Sequence, residues 1–279
     1  MDNTIKKQLQ NIEFEILMEI DRVCKLLGIS YTLFAGTALG AVRHNGFIPW
    51  DDDIDIAMLM EDYNRFIQEA PKYLKDEYFL QTRDTDKNYP LVFAKVRNSN
   101  TTFVEEDLKD LDINHGVYID VFPLNKIPKD KKAQFIRKIA LNFLDILRIC
   151  NNKIICNKGS MSRKVIKYFF HYISKVYGMD NILKQEQKIL TYYNSKEAYE
   201  VDLYPDEPNY MKGKNVTLPQ NIFSNLIEIE FENKKFPIIS EFDIFLKAYY
   251  GDYMKLPPIE ERVSKHNAYK IDLENSYKL

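Results

Sequence analysis

The segment IPWDDDIDIAM carries four aspartates within five residues. If this segment is an extended strand, alternate side chains share a face, so Asp51, Asp53 and Asp55 project to one side. Ile54 and Ile56 then project to the other side, into the core. Three carboxylates on one face repel one another unless a cation lies between them, and an all-oxygen ligand set suits Mg²⁺ or Mn²⁺ better than zinc. The segment therefore predicts a divalent-cation site rather than a solvated acidic loop.

A further acidic position lies in the segment GVYIDVFPL, where Asp120 stands alone among apolar neighbours. A carboxylate in the middle of an apolar strand is costly to bury without a metal or a charged partner. Sites with two metal ions also draw a ligand from outside the first acidic strand. Asp120 is therefore predicted to be the third ligand of a site with two ions. Two alternatives stay open: Asp120 acts as a general base, or it caps a turn before Pro123.

Gly36 and Thr37 precede the acidic strand by about 15 residues. A pair of small residues that opens a helix lets backbone N–H groups approach a phosphate closely. Thr37 is predicted to open a short helix that ends near Arg43. A Gly-Thr pair followed by a D-x-D strand is similar to the arrangement in the nucleotidyltransferase superfamily, and it predicts a phosphate subsite beside the acidic strand.

Several basic residues are candidate ligands for an anionic substrate. Lys95 and Arg97 share one face of a predicted strand, which places two cations where they can bind phosphate oxygens. The alternative is that they are solvated charges at a strand edge. Arg43 lies beside the predicted Asn45-Gly46 turn, within reach of the site, and His266 follows the segment YGDYMKLPPIEERVSK.

The periodicity of apolar residues predicts an α+β chain with a mixed sheet flanked by helices. The first helix is expected to end at Gly28, and a hairpin over residues 226–238 is expected to turn at Asn233-Lys234. The predicted helices span about 4–27, 37–43, 61–70, 130–150, 162–177, 180–194 and 240–250. The predicted strands span about 31–34, 53–58, 78–81, 91–96, 101–105 and 117–122.

The composition excludes several classes of protein. The 279 residues include 19 Tyr and 17 Phe, more aromatic bulk than a disordered chain carries. Cys24, Cys150 and Cys156 show no C-x-x-C spacing, which excludes both a disulfide framework and a zinc cage. No run of about 18 apolar residues occurs, so neither secretion nor a membrane span is expected. A cytoplasmic enzyme or binding protein is the prediction.

The net charge of −2 conceals a strong asymmetry. Residues 126–178 hold 13 Lys or Arg against two Asp, a charge of +11, which leaves −13 for the rest of the chain. This basic segment also carries aromatic residues at helical spacing, which predicts peripheral contact with the inner face of an anionic membrane. The alternative is that the aromatics form core while the lysines solvate the outer face. Nucleic-acid binding is disfavoured because the remaining −13 opposes a polyanion.

Four blocks of sequence together resemble the LicD family of phosphotransferases, which is related to fukutin and fukutin-related protein. They are LFAGTALGAVRHNGFIPWDDDIDIAM, FAKVRNSNTTFVE, GVYIDVFPL and YGDYMKLPPIEERVSKH, and they span residues 33–266. The resemblance implies a nucleotidyltransferase-like fold that transfers phosphocholine from CDP-choline to a sugar of a teichoic acid or lipopolysaccharide precursor, with release of CMP. Relatives use CDP-ribitol, so ribitol or glycerol phosphate is the alternative cargo.

The resemblance also assigns residues. It implies metal ligation by Asp53, Asp55 and Asp120 and places Gly36 and Thr37 near the donor phosphates, while Asp51 and Asp52 match the acidic run without a defined role. The chain is predicted to divide into a catalytic core at 1–125, a basic helical segment at 126–196 and a C-terminal segment at 197–279 that completes the catalytic unit. Nucleotidyl transfer and a non-enzymatic membrane scaffold are the rival functions.

Overall fold

The computed structural model describes residues 2–151, 156–157, 160–194, 200–202, 217–264 and 267–278. These residues form two compact units. The first unit comprises residues 1–124 and 221–279, and the second comprises residues 125–220. The C-terminal part of the chain from residue 221 onward thus belongs to the same unit as the acidic segment.

The elements confirm the predicted α+β class. The helices are α1 Asn3–Leu27, α2 Ala35–His44, α3 Met60–Glu69, α4 Lys131–Cys150, α5 Met161–Tyr177, α6 Met179–Thr191 and α7 Phe242–Tyr250. The strands are β1 Thr32–Leu33, β2 Asp55–Leu59, β3 Tyr78–Gln81, β4 Ala94–Asn98, β5 Thr102–Glu105, β6 Val117–Leu124, β7 Lys126–Ile127, β8 Glu200–Asp202, β9 Thr217–Pro219, β10 Leu226–Phe231, β11 Lys234–Ile239 and β12 Ala268–Asp272. Short 3₁₀ helices cover Ala70–Lys72, Gln220–Ser224 and Ile259–Glu261.

A mixed five-stranded sheet in the order β1-β2-β6-β4-β3 is the centre of the first unit. β2 and β6 are parallel, while the other neighbouring strands of this sheet are antiparallel. The pairs β10–β11 and β5–β12 are antiparallel. In the second unit, β7, β8 and β9 form a separate antiparallel sheet.

Helix α1 packs against the central sheet through its apolar stripe. Leu9, Ile16 and Ile20 recur at helical spacing and are at most 1% exposed, so together they bury an area that stabilises the sheet by several kcal/mol, about 1.5–3 kcal/mol per fully buried side chain. Gly28 ends the helix in the left-handed conformation with φ +62°, as predicted. The N–H of Ile29 then donates to the Cys24 carbonyl at 2.9 Å.

The first unit is closed by its C-terminal residues. In the β10–β11 hairpin, Glu232 and Asn233 both have positive φ, the geometry of a two-residue turn that matches strand twist. The predicted turn at Asn233-Lys234 is therefore wrong by one residue. The N–H of Ile239 donates to Thr32 Oγ1 at 3.2 Å, which joins the hairpin to β1.

The second unit is a small helical assembly. Its core contains Leu144, Leu147 and Ile182 from α4 and α6, and side chains of α5 pack against it. Asp130 caps α4 by accepting the N–H groups of Lys132 and Ala133 at 3.2 and 3.3 Å. None of the described helices is long and apolar enough to cross a membrane.

Candidate active site

Three charged side chains stand in register across three adjacent strands of the central sheet. Asp55 on β2 lies opposite Asp120 on β6, and Asp120 lies opposite Lys95 on β4. Residues in register project to the same face, so the two carboxylates and the ammonium group form one row, with strands about 4.8 Å apart. The N–H of Asp120 donates to the Ile54 carbonyl at 3.0 Å, which fixes the register at the start of β2.

Lys95 holds Asp120 in an ion pair inside the protein. Its Nζ lies 2.8 Å from Asp120 Oδ1 and 3.7 Å from Glu105 Oε2. The same Nζ lies 3.3 Å from the centroid of the Tyr118 ring, and the residue is only 2% exposed. The alternative of a solvated strand-edge charge is therefore wrong for Lys95.

Arg97 is fully buried two residues along the same strand. Its Nε donates to Gln81 Oε1 at 2.5 Å and its NH1 group donates to the Gly116 carbonyl at 2.7 Å. Its NH2 group lies 3.7 Å from Glu105 Oε2. Arg97 is therefore not a solvated edge charge either, because its guanidinium group contacts Gln81, Gly116 and Glu105. Its role as a phosphate ligand stays a prediction.

The acidic segment is only partly a strand. Strand β2 begins at Asp55, whereas the prediction began it at residue 53 and put Asp51 on the same strand face. The reason is that β1 is two residues long and gives way at once to α2, so the residues before Asp55 have no strand on that side. Instead, carboxylate oxygens of Asp51, Asp52 and Asp53 lie within 4.8 Å of one another.

Asp52 differs from its neighbours in this cluster. It is 2% exposed, and its Oδ2 accepts a hydrogen bond from Ser264 Oγ at 2.5 Å. The C-terminal residues thus reach the acidic cluster through a partly buried hydrogen bond. Its neighbours Asp51 and Asp53 are half-buried.

The N-terminus of α2 lies directly beside the acidic residues. The helix begins at Ala35, two residues before the predicted start, because Thr37 does not act as a cap. The Thr37 hydroxyl instead accepts the N–H of Asp55 at 2.8 Å, which joins the first turn of the helix to β2. A Cβ added to Gly36 would stand 2.7 Å from Asp51 Oδ2, so only glycine allows Asp51 to lie this close.

Burial and like charge raise the pKa values of the two strand carboxylates. For Asp55, the largest cause of the raised pKa is burial, followed by the charges of Asp53 and Asp120. For Asp120, burial raises the pKa while the Lys95 ammonium opposes it. Two buried carboxylates held side by side and a third nearby match the oxygen ligand set of Mg²⁺ or Mn²⁺, so the residues present fit a divalent cation.

A further buried acid, Glu13 on α1, was not found from the sequence. It is 3% exposed, and its Oε2 has no hydrogen-bond partner among the described residues. Burial raises its pKa first, and the charges of Asp53, Asp52 and Asp51 raise it further. The available signal was its place on the apolar stripe of α1, four residues after Leu9.

Cations and aromatic rings form a second group of site residues. The guanidinium groups of Arg43 and Arg262 lie 6.0 and 5.4 Å from the centroid of the Trp50 ring, directly before the acidic cluster. NH1 of Arg43 donates to the Tyr253 carbonyl at 2.8 Å. Burial is the largest cause of the lowered Arg43 pKa. Arg262 and Trp50 were missed from the sequence, and the predicted His266 lies outside the described residues.

The parallel β2–β6 pair carries two acidic positions, Asp55 and Asp120, and Thr37 at the N-terminus of α2 accepts the N–H of Asp55. This arrangement is similar to that of the nucleotidyltransferase superfamily. Residues 28–138 match the family model described as LicD/FKTN/FKRP, nucleotidyltransferase domain. This match confirms, over residues 28–138, the resemblance to the LicD family that the sequence predicted.

Curated relatives agree with this assignment. The chain is 27% identical to the lipopolysaccharide cholinephosphotransferase LicD of Haemophilus influenzae over 270 residues, 94% of this chain and 96% of that protein. It is 29% identical to the human ribitol 5-phosphate transferase FKRP over 99 residues, which cover 34% of this chain and 19% of that protein. The similarity to the bacterial protein thus extends beyond the matched domain.

Proposed function

We propose that this protein transfers a phospho-alcohol from a CDP-linked donor to a sugar hydroxyl of a cell-surface glycan precursor and releases CMP. The observation that carries the proposal is the register of Asp55 with Asp120 beside the N-terminus of α2. The similarity to a cholinephosphotransferase over 94% of the chain supports phosphocholine as the transferred group. Ribitol or glycerol phosphate is the alternative, supported in the first case by the similarity to the ribitol 5-phosphate transferase.

Asp53, Asp55 and Asp120 would hold the divalent cations, Mg²⁺ or Mn²⁺. When bound, such ions would neutralise the donor pyrophosphate and lower the pKa of the acceptor hydroxyl. Burial and mutual repulsion give these carboxylates a strong preference for a cation, because both raise the pKa of Asp55 in the protein alone. Burial and the charges of Asp53, Asp52 and Asp51 also raise the pKa of Glu13, so a cation bound at this cluster would favour its charged form as well.

The donor would bind along α2 and the cation–aromatic group. The first N–H groups of α2 carry a partial positive charge, which favours an anionic phosphate at this end of the helix. Arg43 and Arg262 supply full positive charges within 6.0 Å of Trp50. Guanidinium groups bind phosphate oxygens with charge-assisted hydrogen bonds, so they suit the anionic part of a CDP-linked donor.

Lys95 would act on the reaction through Asp120. Its ion pair at 2.8 Å favours the charged form of Asp120, which must accept a cation or a proton. In the transfer, the acceptor oxygen forms a bond to the distal phosphorus while the bond from that phosphorus to the CMP oxygen breaks. The hydroxyl proton leaves to solvent or to Asp120, and CMP carries away the negative charge.

Product analysis tests the function. Purified protein with Mg²⁺ is incubated with CDP-choline, CDP-ribitol or CDP-glycerol, with and without a glycan extract from the cell envelope, and nucleotide products are separated. Release of CMP that requires the glycan supports the proposal, with Asp120→Asn as the inactive control. Release of pyrophosphate from a nucleoside triphosphate would support nucleotidyl transfer instead, and binding of the glycan without turnover would support a scaffold.

The proposed location follows from the substrates. Nucleotide-linked donors and an acceptor on a lipid carrier would meet at the cytoplasmic side of the membrane. The protein would then work in the cytoplasm or peripherally at the inner face. Fractionation of cells followed by immunodetection distinguishes these two locations.

A further inference from the structure

Helix α4 of the second unit exposes a continuous apolar stripe. Its members are between 41% and 66% exposed, although they are large hydrophobic side chains: Phe135, Ile136, Ile139, Phe143 and Ile146. At 3.6 residues per turn they fall within an arc of about 100° on the helix. Leu144 and Leu147, which lie outside this arc, supply the core from α4. The stripe is therefore an additional surface and not part of the core.

Helix α5 exposes a second stripe of the same kind. Its members are between 63% and 78% exposed: Met161, Val165, Phe169, Tyr172 and Val176. The ring of Phe143 on α4 lies 6.3 Å from that of Phe170 on α5, and Phe169 lies 5.7 Å from Phe170. These contacts pack α5 against α4, and the two exposed stripes of these neighbouring helices are here together called the α4–α5 face. The alternative that these aromatics form core is wrong for the exposed members of the stripes.

The charge of these helices indicates what covers the face. Together α4 and α5 contain nine Lys or Arg and one acidic residue, Asp145. Asp145 is buried against Arg148 at 2.7 Å, so it adds no negative charge to the surface. Lys131, Lys138 and Lys164 lie within about 60° of the apolar stripes along the helix circumference.

A surface with an apolar centre and a positive border matches an anionic lipid bilayer. Hydrocarbon accepts the Ile, Val, Met and Phe side chains, and the lipid phosphates accept the lysines. A second copy of the chain is a poorer match, because a self-complementary contact would bring two positive borders together. Nucleic acid provides charge but no hydrocarbon for the apolar centre.

We propose that the α4–α5 face docks the protein peripherally on a bilayer that contains anionic lipid. The docking rests on the exposure and charge of the two helices and does not depend on which group the enzyme transfers. It predicts binding that needs negative lipid and weakens as salt rises, because each lysine near the surface contributes electrostatically. It also predicts that loss of apolar side chains weakens binding at every salt concentration.

Vesicle sedimentation with the full chain tests the proposal. We expect pelleting with vesicles of phosphatidylcholine and phosphatidylglycerol, and little with phosphatidylcholine alone. Replacement of the three border lysines (Lys131→Gln, Lys138→Gln and Lys164→Gln) should lower the partition coefficient on the order of 10²-fold at low salt. Phe135→Ser with Phe169→Ser should lower it at both low and high salt.

A matched control removes the same charge from the first unit. Lys72→Gln, Lys234→Gln and Lys235→Gln replace three exposed lysines outside the second unit, and this variant should bind like the parent. Circular dichroism checks that each variant is folded. Equal pelleting with neutral and anionic vesicles, no pelleting with either, or an equal loss in the control would overturn the proposal. A dimer in light scattering that only the Phe→Ser variant abolishes, without vesicle binding, would assign the face to a second copy.

Discussion

The substitution Asp55→Asn tests two effects of the Asp55 carboxylate separately: its repulsion of Asp120, which lowers stability, and its proposed binding of a cation. Asp55 and Asp120 lie in register on strands about 4.8 Å apart, where two ionised carboxylates repel by about 3.5 kcal/mol at an effective dielectric constant of about 20. Asp120 also faces the Lys95 ammonium at 2.8 Å, an attraction of about 6 kcal/mol on the same scale. Asp55→Asn therefore removes a repelled charge, whereas Asp120→Asn removes the partner of a buried cation.

We expect Asp55→Asn to raise the unfolding free energy of the metal-free protein by about 1–3 kcal/mol, less than the full repulsion because the raised pKa already relieves part of it. The wild-type protein should gain about 2.7 kcal/mol when Mg²⁺ is present at 100 times its dissociation constant, a rise in Tm of about 5 °C or more. The variant should lose most of this gain together with turnover.

The assay is thermal unfolding in EDTA and across a Mg²⁺ titration, with CMP release measured in parallel. Asp76→Asn is the control, because Asp76 is exposed and its loss should change neither the metal-free Tm nor the response to Mg²⁺. An Asp55→Asn protein that keeps the full Mg²⁺-dependent rise in Tm would refute the metal assignment. A metal-free Tm well below that of the wild type would refute the electrostatic reasoning.

Four other substitutions test three separate parts of the structure. Asp120→Asn should lower turnover by at least about 10²-fold. Unlike Asp55→Asn, it should also lower the Tm of the metal-free protein, because Lys95 stays buried without this partner. Turnover within a few-fold of the parent would show that Asp120 is not the third ligand. Gly36→Ala should leave the fold intact but displace the Asp51 side chain and reduce turnover at least about 10-fold. Gly40→Ala should destabilise the protein by about 1–3 kcal/mol, because its Cβ would meet the backbone carbonyl oxygen of Gly46. Equal Tm values for the two variants would contradict this distinction. Arg148→Met should destabilise the protein by about 3–5 kcal/mol at pH 7.5 in urea unfolding, since Arg148 lies 2.7 Å from Asp145 and 3.5 Å from Glu186. Burial already raises the pKa values of Asp145 and Glu186, so between about pH 4 and these raised values the folded variant binds more protons than the unfolded chain. The stability of the variant should therefore fall as pH rises through that range. A loss of stability that is equal at pH 5 and pH 7.5 would show that the substitution removes packing and not charge.

The two acidic sheet residues of the site could be predicted from the sequence, because in a strand the spacing of residues determines which side chains project to the same face. Asp55 and Asp120 each stand among alternating apolar residues, and two such strands in one sheet bring their acids together once they pair in parallel. The class of fold and most helix bounds followed from periodicity for the same reason. The residue at which β2 starts could not be predicted from periodicity. It depends on the length of the neighbouring strand β1, which is a tertiary feature that no local pattern encodes.

The remaining site residues depend on contacts between distant parts of the chain. Ser264 reaches Asp52 across 212 positions, and Arg262 comes to Trp50 from the same C-terminal region. Local sequence carries no signal for such pairs. Glu13 is the exception, because a carboxyl on the buried stripe of an amphipathic helix is itself a departure from the pattern that defines the helix.

Buried charged residues in this protein are of two kinds: arginines whose polar groups have partners, and acids whose charge the protein does not compensate. Arg97 and Arg148 lie against carbonyl, amide or carboxylate groups, and their removal would leave polar groups without partners, so we attribute them to stability. Asp55 and Glu13 have pKa values raised by burial and by neighbouring acids, which means that the protein alone does not compensate their charge. Destabilised groups of this kind recur at sites where activity has a cost in stability. We therefore propose that the acidic row is where the fold gives up stability for the binding of a cation and the donor. The buried apolar stripe of α1, packed against the sheet, offsets part of this loss.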